Sequence, residues 1–229
     1  MSTILLVRHG QASWGKRDYD KLSPLGKRQS TALGEALAAR GYHPDVIVTG
    51  GMNRHAQTAE GVARAAGWET EAVVDEGWAE YDHMAIIAAH KPAYRSMTIM
   101  QADLMRTLQP RKAFQTMFEA ALDRWTSGEF DEEYPETFTD FQSRVEAALE
   151  RLVARLEAGQ TAAVFTSGGS MSWATTFLLR ADAPTWSVLN HVTVNTGITK
   201  IVHGAHGTSV VTINGHAHVD HERDLLSVR

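Results

Sequence analysis

Four short runs of apolar, largely β-branched residues most constrain the fold of this chain. They occupy residues 4–7, 46–49, 72–74 and 163–166. None of them alternates apolar with polar residues, which is the pattern of strands that are covered on both faces. Helical periodicity separates the first three runs. The order strand, helix, strand, helix, strand predicts an α/β fold with three layers, αβα, and a doubly wound, mostly parallel central sheet.

Residues typical of helix boundaries lie between these runs. Ser23 is a candidate N-cap followed by Pro24 at the first helical position, and Gly41 is placed to end that helix. A second helix is expected from about Arg54 towards Gly67. Both helices would connect consecutive strands, as parallel strands require.

The strand pattern stops between about residues 83 and 136, where apolar residues recur at helical spacing. This predicts an inserted helical lid. The chain contains no internal repeat, low-complexity tract or interdomain linker. We therefore expect a single domain over residues 1–229, a length that can bury a sizeable core.

Helix and strand signals resume after the insertion. A helix is expected to begin after Thr137, with Asp140 three positions on as its capping partner, and to end near Gly159. Two β-rich runs at about residues 192–202 and 209–213 are expected to complete the edge of the sheet. This edge could pair with a second copy in a homodimer.

The composition argues against several classes of function. A net charge of −5 without a dense cluster of lysine and arginine argues against a nucleic-acid partner. The absence of cysteine excludes disulfides, thiolate metal sites and a cysteine nucleophile. The first apolar run is too short for a signal sequence or a membrane span. We expect a soluble, cytoplasmic protein without a membrane partner.

Residues suited to an anion follow the first predicted strand. In a doubly wound sheet the ligand crevice lies outside the carboxyl ends of the strands, and Arg8, His9 and Gly10 occupy that position. Gly10 would let the backbone approach an anion, and Arg8 would supply a charged fork. His9 is then placed to attack the ligand.

Residues suited to binding or reacting with an anion also follow the other predicted strands. Arg54 begins the helix after the second strand and adds a guanidinium to a helix N-terminus. Glu80 follows the third strand near the apolar ring of Trp78, which could raise the carboxyl pKa and suit a general acid. The glycine-rich turn at residues 166–173 opens a helix after the fourth strand and can cradle a phosphate.

The order and spacing of these motifs resemble the histidine phosphatase superfamily, the phosphoglycerate-mutase-like proteins with an RHG motif. The resemblance extends along nearly the whole chain. The matching stretches are RHGQAS at 8–13, LSPLGKRQ at 22–29, RHAQTA at 54–59, Glu80, TSGG at 166–169 and TINGHAHV at 212–219.

The resemblance implies a metal-independent phosphatase that hydrolyses a phosphate monoester through a phosphohistidine on His9 and needs no cofactor. Arg8 and Arg54 would neutralise the equatorial oxygens, and Glu80 would protonate the leaving oxygen and then activate water. The substrate would be a small phosphorylated molecule or a phosphopeptide. The implied phosphate-binding and substrate-binding residues are Gly10, Gln11, Ser13, Ser167 and Gly168.

The chain departs from the family pattern at two places. Most members carry a histidine before the glycine pair where this chain has Ser167, which predicts a competent phosphatase slowed by about 10-fold, or up to ~10³-fold. Mutase-type members place an asparagine and a Gly-Trp-Asp-like loop after the first motif, where this chain has Gly15. A phosphoglycerate-type mutase is therefore the weaker alternative.

Two other interpretations stay open from the residues. Arginines that bind phosphate without turnover would make a non-catalytic protein that binds a phospho-ligand or a partner. His216 and His218 suggest a metal site, but no carboxylate or thiolate stands in register, so none is predicted. Asn214 and His218 are interpreted instead as residues that support the C-terminal segment.

Overall fold

The computed structural model describes residues 1–13 and 20–228 and contains six strands and eight α-helices in that part of the chain. The strands are β1 (Ser2–Arg8), β2 (Val46–Thr49), β3 (Ala72–Val74), β4 (Thr161–Thr166), β5 (Ile198–Gly204) and β6 (Gly207–Gly215). The helices are α1 (Pro24–Ala39), α2 (Asn53–Ala66), α3 (His83–His90), α4 (Met97–Met105), α5 (Pro110–Thr126), α6 (Phe138–Arg155), α7 (Gly168–Leu178) and α8 (Ala183–Val192).

The strands form one mixed sheet in the order β3-β2-β4-β1-β5-β6. β3, β2, β4 and β1 pair in parallel, whereas β5 and β6 add to the sheet antiparallel. The predicted α/β fold class is confirmed. Arg8 pairs with Thr166, so β1 and β4 end side by side and the residues that follow them are neighbours.

Both faces of β1, β2 and β4 are buried, as their unalternated sequences predict. The same prediction is wrong for β3, whose three residues are exposed at the edge of the sheet. Odd-numbered residues of three strands pack against α1 and α2, and the even-numbered residues of the same strands are buried as well. The cluster on the first face includes Leu5, Val7, Ile47, Ala163, Phe165, Leu33, Leu37 and Val62.

The helix boundaries follow the predicted signals except in one place. The Ser23 hydroxyl accepts the Gly26 N–H at 3.1 Å, and α2 ends at Gly67 with φ of 70°. Thr137 and Asp140 form the expected capping box. The prediction that Gly159 ends this helix is wrong, because α6 stops at Arg155. Gly159, with φ of 93°, lies in the turn before β4.

The predicted strand at residues 192–202 begins too early. Residue 192 is the last of α8, and β5 starts only at residue 198. Between them Thr196 adopts φ of 62° and donates its N–H to the Arg8 carbonyl at 3.1 Å. The β-branched residues here therefore build a turn that fastens the end of β1.

The last described residues are bound to the same region. Arg8 donates from Nη1 to the Thr193 carbonyl and, at 2.6 Å, to the Val228 carbonyl. The Gln29 amide donates to the Leu225 carbonyl at 2.7 Å. The Asn195 N–H donates to the Ser227 carbonyl at 2.9 Å. Residues 225–228 are thus held by α1 and by the side chain that ends β1.

The chain divides into two compact units, Met1–Glu80 with Arg144–Arg229, and Tyr81–Ser143. The first unit contains the sheet. The second is helical, and its rings of Tyr81, Trp125 and Phe141 lie within 5.6 Å of one another between centroids. Within residues 1–13 and 20–228, no helix is both long enough and apolar enough to cross a membrane.

Candidate active site

His9 directly follows β1 and is held by its backbone and by its ring. Its N–H donates to the Thr166 carbonyl at 2.8 Å, across the parallel pair of strands. Its Nδ1 lies 2.7 Å from the Gly10 carbonyl oxygen. A carbonyl can only accept, so Nδ1 carries the proton and the neutral ring keeps a lone pair on Nε2.

Arg54, in the first turn of α2, directs its nitrogen atoms to three different groups. Nε donates to Nε2 of His9 at 3.2 Å, and Nη2 donates to the Ser167 hydroxyl at 3.5 Å. Nη1 forms an ion pair with Asp20 at 2.8 Å. Asp20 also accepts the Asn53 N–H at 2.9 Å. The buried guanidinium is therefore fixed with one edge towards His9.

The surroundings keep the His9 ring uncharged. Burial lowers the pKa of His9 well below 6.5, and the positive charges of Arg54 and Arg8 lower it further. A protonated imidazole has no lone pair to offer, so this shift keeps the ring nucleophilic over the neutral pH range. Arginines beside the ring therefore favour its reactive form while attracting an anion.

Ser167 and His55 form a second buried contact beside Arg54. The Ser167 hydroxyl lies 2.7 Å from Nε2 of His55, and both side chains are fully buried. Burial and the charge of Arg54 lower the pKa of His55 to about 3, so its ring is neutral. The ring centroids of His9 and His55 lie 5.7 Å apart.

Glu80 lies at the N-terminus of α7. Its Oε2 accepts the Gly169 N–H at 3.1 Å, one of the amides that the first turn of a helix leaves without a helical partner. Trp186 donates its indole N–H to the Gly169 carbonyl at 3.0 Å and holds the same residue from its other side. The carboxyl group and the glycine-rich turn are thus brought together.

Arg8 also lies beside this turn. A Cβ atom on Gly168 would lie 3.5 Å from the Arg8 Nε, an ordinary contact distance, so the guanidinium lies directly beside the backbone of this turn. The carbonyls of Thr193 and Val228 hold Nη1. Arg8 therefore lies beside the start of α7, whereas Arg54 lies beside the His9 ring.

Gly10 is required by a close approach of two backbone segments. Its N–H donates to the Thr58 hydroxyl of α2 at 3.1 Å. A Cβ atom on Gly10 would lie 2.5 Å from the Gly26 carbonyl oxygen, a distance that no side chain tolerates. The glycine thus lets the segment after His9 pack directly on α1.

Gln11 and Ser13 continue this segment along α1. The Gln11 N–H donates to the Gln29 side chain at 2.8 Å, and its own amide oxygen accepts the Ser23 hydroxyl at 2.8 Å. The Ser13 N–H donates to the Lys21 carbonyl at 2.7 Å. These bonds fix the loop. The position of Gly15, where the chain departs from the mutase pattern, lies outside the described residues.

Two residues of this site were not predicted from the sequence. Asp20 anchors Arg54, and His55 contacts Ser167. His55 did carry a signal, since it directly follows Arg54 at the beginning of a helix and so lies at the same end of the sheet. Asp20 lies in a polar stretch before α1 and carried none.

The histidines near the C-terminus have other partners. His218 bonds the Thr196 hydroxyl through Nε2 at 3.0 Å, and Asn214 accepts the Val194 N–H at 2.8 Å, so both hold the turn before β5. Burial lowers the pKa of His218 to about 4. Within residues 1–13 and 20–228 no three histidine, aspartate or glutamate side chains converge as metal ligands would.

Comparison with known sequences gives one family and several partial relatives. A family model described as the histidine phosphatase superfamily (branch 1) matches residues 4–93 and 105–216. Phosphoglycerate mutase 1 of Saccharomyces cerevisiae is 35% identical over 65 residues, 26% of this chain and 26% of that protein. A 2,3-bisphosphoglycerate-dependent phosphoglycerate mutase of Mesorhizobium japonicum is 33% identical over 89 residues, 35% of this chain and 43% of the relative. The chain thus spans less than half the length of these relatives.

Solved structures match over nearly the whole chain. A phosphoserine phosphatase variant from Entamoeba histolytica, in complex with phosphoserine, has a TM-score of 0.67 at 16% identity and covers 96% of this chain and 100% of its own. A phosphoglycerate mutase from Bacillus anthracis has a TM-score of 0.65 at 16% identity and covers 95% of each chain. A mycobacterial glucosyl-3-phosphoglycerate phosphatase has a TM-score of 0.60 at 20% identity and covers 94% of this chain and 99% of its own. At such identities the likeness concerns the fold alone.

Proposed function

The chain belongs to the histidine phosphatase superfamily, and from this premise we propose that it is a phosphatase that hydrolyses a phosphate monoester through a phosphohistidine on His9. One observation carries the proposal. The His9 ring keeps its proton on Nδ1 and turns the Nε2 lone pair towards the Arg54 guanidinium, where a phosphoryl group would be bound.

In the first step the phosphoryl oxygens replace His9 as the acceptor for Arg54, and the freed lone pair on Nε2 of His9 attacks phosphorus in line with the leaving oxygen. A P–N bond forms, the P–O bond to the leaving group breaks, and Glu80 gives its proton to the departing oxygen. Arg54 and Arg8 offset the charge on the equatorial oxygens, and the amides at the start of α7 add donors. The products are an alcohol and phosphohistidine.

In the second step water attacks the phosphohistidine. Glu80, now a carboxylate, takes a proton from that water, so the P–N bond breaks and inorganic phosphate leaves with His9 free again. Guanidinium groups supply the positive charge that metal ions supply in other phosphoryl-transfer sites. For this reason we propose a reaction that needs no metal and no other cofactor.

The test is hydrolysis of p-nitrophenyl phosphate with EDTA present, for the wild type and for His9→Ala. We expect the substitution to lower kcat by at least ~10³-fold, because it removes the nucleophile. His43→Ala is the matched control, since this histidine is exposed on the surface, and it should retain wild-type kcat. Acid-labile phosphate on the wild type, absent from His9→Ala, would identify the intermediate.

Other outcomes would favour other functions. Equal rates for the wild type and His9→Ala, together with retained binding of inorganic phosphate, would indicate a protein that binds phospho-ligands without turning them over. Transfer of phosphate between positions of phosphoglycerate would indicate a mutase, the activity of the curated relatives. Small phosphorylated metabolites and phosphopeptides are the substrate classes to screen once turnover is established.

A further inference from the structure

The proposed reaction leaves two buried side chains at its centre without a role. His55 and Ser167 are both fully buried and lie 2.7 Å apart. The His55 ring is closely confined, since a Cβ atom on Gly50 would lie 2.8 Å from its Nδ1. The contact is therefore a fixed hydrogen bond in the interior.

This pair is unsuited to act as a nucleophile and its base. A general base works best when its pKa lies near the operating pH. The pKa of His55 is lowered to about 3, so its ring accepts or donates a hydrogen bond but does not take the serine proton. Ser167 thus remains a hydroxyl whose orientation the His55 ring fixes.

The hydroxyl in turn contacts the group that faces the nucleophile. Ser167 accepts a hydrogen bond from Nη2 of Arg54, and Nε of the same guanidinium donates to His9. In the guanidinium fork Nε and Nη2 lie on one edge, and the group is planar and rigid. Ser167, at 3.5 Å from Nη2, restrains one end of that edge, and together with the Asp20 ion pair on Nη1 it helps to set the angle at which the other end meets His9.

We infer that His55 and Ser167 form a positioning pair that holds the Arg54 guanidinium towards His9, an inference that rests on the proposed function. In either tautomer of His55 its hydrogen bond restricts the serine rotamer. Ser167 therefore contributes to this site through its contact with Arg54, and His55 sets the orientation of its hydroxyl. A displacement of about 1 Å in such a site can cost about 10²-fold in rate.

The experiment is a double-mutant cycle with Ser167→Ala and His55→Phe. Each single substitution should lower kcat/KM by about 10- to 100-fold, mainly through kcat, because Arg54 loses the restraint on the Nη2 side of its guanidinium. If the pair acts as one unit, the double variant loses no more than the worse single variant. Losses that multiply would show independent roles and overturn the inference.

Two further variants separate positioning from packing. His55→Gln keeps a group that can bond the serine, so we expect it to recover most of the kcat lost in His55→Phe. Thr175→Val removes an equally buried hydroxyl of α7 that bonds only within that helix, to the Met171 carbonyl, and should leave kcat unchanged. A His55→Gln variant as slow as His55→Phe would contradict the inference. If His55→Phe does not fold, His55→Leu takes its place in the cycle.

The same variants test the inference if the proposed function fails. Should the wild type show no turnover that depends on His9, the cycle is measured on the affinity for inorganic phosphate by calorimetry. Arg54 would bind that anion in either case, so coupled losses of affinity would still support the pair. Additive losses would overturn it.

Discussion

At the scale of single residues, Arg54 shows how one side chain can organise a site. Its contacts with His9, Ser167 and Asp20 use different nitrogen atoms, so these partners do not compete for the same hydrogen. A lysine could not form this arrangement, because an ammonium has no planar fork. These contacts therefore require an arginine at position 54.

The fully buried environment of Ser167 leads to a prediction about Ser167→His. The imidazole of His55 already occupies the space beside this hydroxyl, and overpacking a core costs about 1–3 kcal/mol. We expect Ser167→His alone to lower both the free energy of unfolding and kcat. His55→Ala combined with Ser167→His should regain the lost stability, because it vacates one ring. Urea titration and p-nitrophenyl phosphate turnover measure both effects.

An increase in turnover for Ser167→His alone would contradict this expectation. That result would instead support the handicap predicted from the sequence, in which the serine is simply a poorer phosphate ligand than histidine. The Thr175→Val variant again serves as the control for the loss of a hydroxyl within α7.

Residues at strand ends could be recognised from the sequence because their placement is local. Arg8 ends β1 and His9 follows it, and Arg54 lies in the first turn of the helix after β2. His55 was not assigned, since its role depends on a contact with Ser167, more than a hundred positions away. Spacing along the chain carries little information about such a contact.

At the scale of secondary-structure elements, the site depends on how closely α1 approaches the segment after β1. A Cβ atom on Gly26 would lie 2.2 Å from the Gln11 carbonyl oxygen, and backbone atoms cannot turn aside as a flexible side chain can. Although alanine favours helix by about 1 kcal/mol over glycine, the clash should outweigh that gain.

We therefore expect Gly26→Ala to lower the free energy of unfolding by at least ~1 kcal/mol and to reduce turnover by displacing the segment next to His9. Gly215→Ala is the control, since a Cβ atom there meets only the Ile198 carbonyl oxygen at an ordinary 3.5 Å. Equal effects of the two substitutions in urea titrations would refute the close-approach argument.

Most of the strands and helices could be predicted from the sequence. Apolar runs without alternation gave β2 and β3 to the residue, and Ser23 marked the start of α1. The errors fell where tertiary contacts override local preference. Residues 192–197 are rich in β-branched side chains, yet they form a helix end and a turn because they fasten β1.

At the scale of the whole molecule, the buried histidines make stability depend on pH. In the folded chain the pKa of His55 is about 3 and that of His218 is about 4, against 6.5 for an unfolded chain. Below pH 6.5 these two histidines bind protons in the unfolded chain but not in the folded chain. The free energy of unfolding is therefore not reduced by these two rings above pH 6.5. It decreases as the pH falls from 6.5 towards 4 and then 3, where the folded chain binds the protons as well.

The expected slope is about 1.4 kcal/mol per pH unit for each such histidine. His218→Gln should remove one histidine's share of that slope between about pH 6 and pH 5, whereas the exposed His43→Gln should not change it. Urea titrations at several pH values measure the slope. An unchanged slope in His218→Gln would show that this ring titrates normally in the folded chain.

The bonds from Arg8 to the Val228 carbonyl and from Gln29 to the Leu225 carbonyl have a practical consequence for anyone who handles this protein. Removal of residues 225–228 would take away carbonyl acceptors of Arg8 and Gln29, and a tag fused directly after these residues would disturb the arginine next to His9. Preparations that differ only in their tail could then differ in specific activity, so a tag at the other terminus is the better choice for kinetic work.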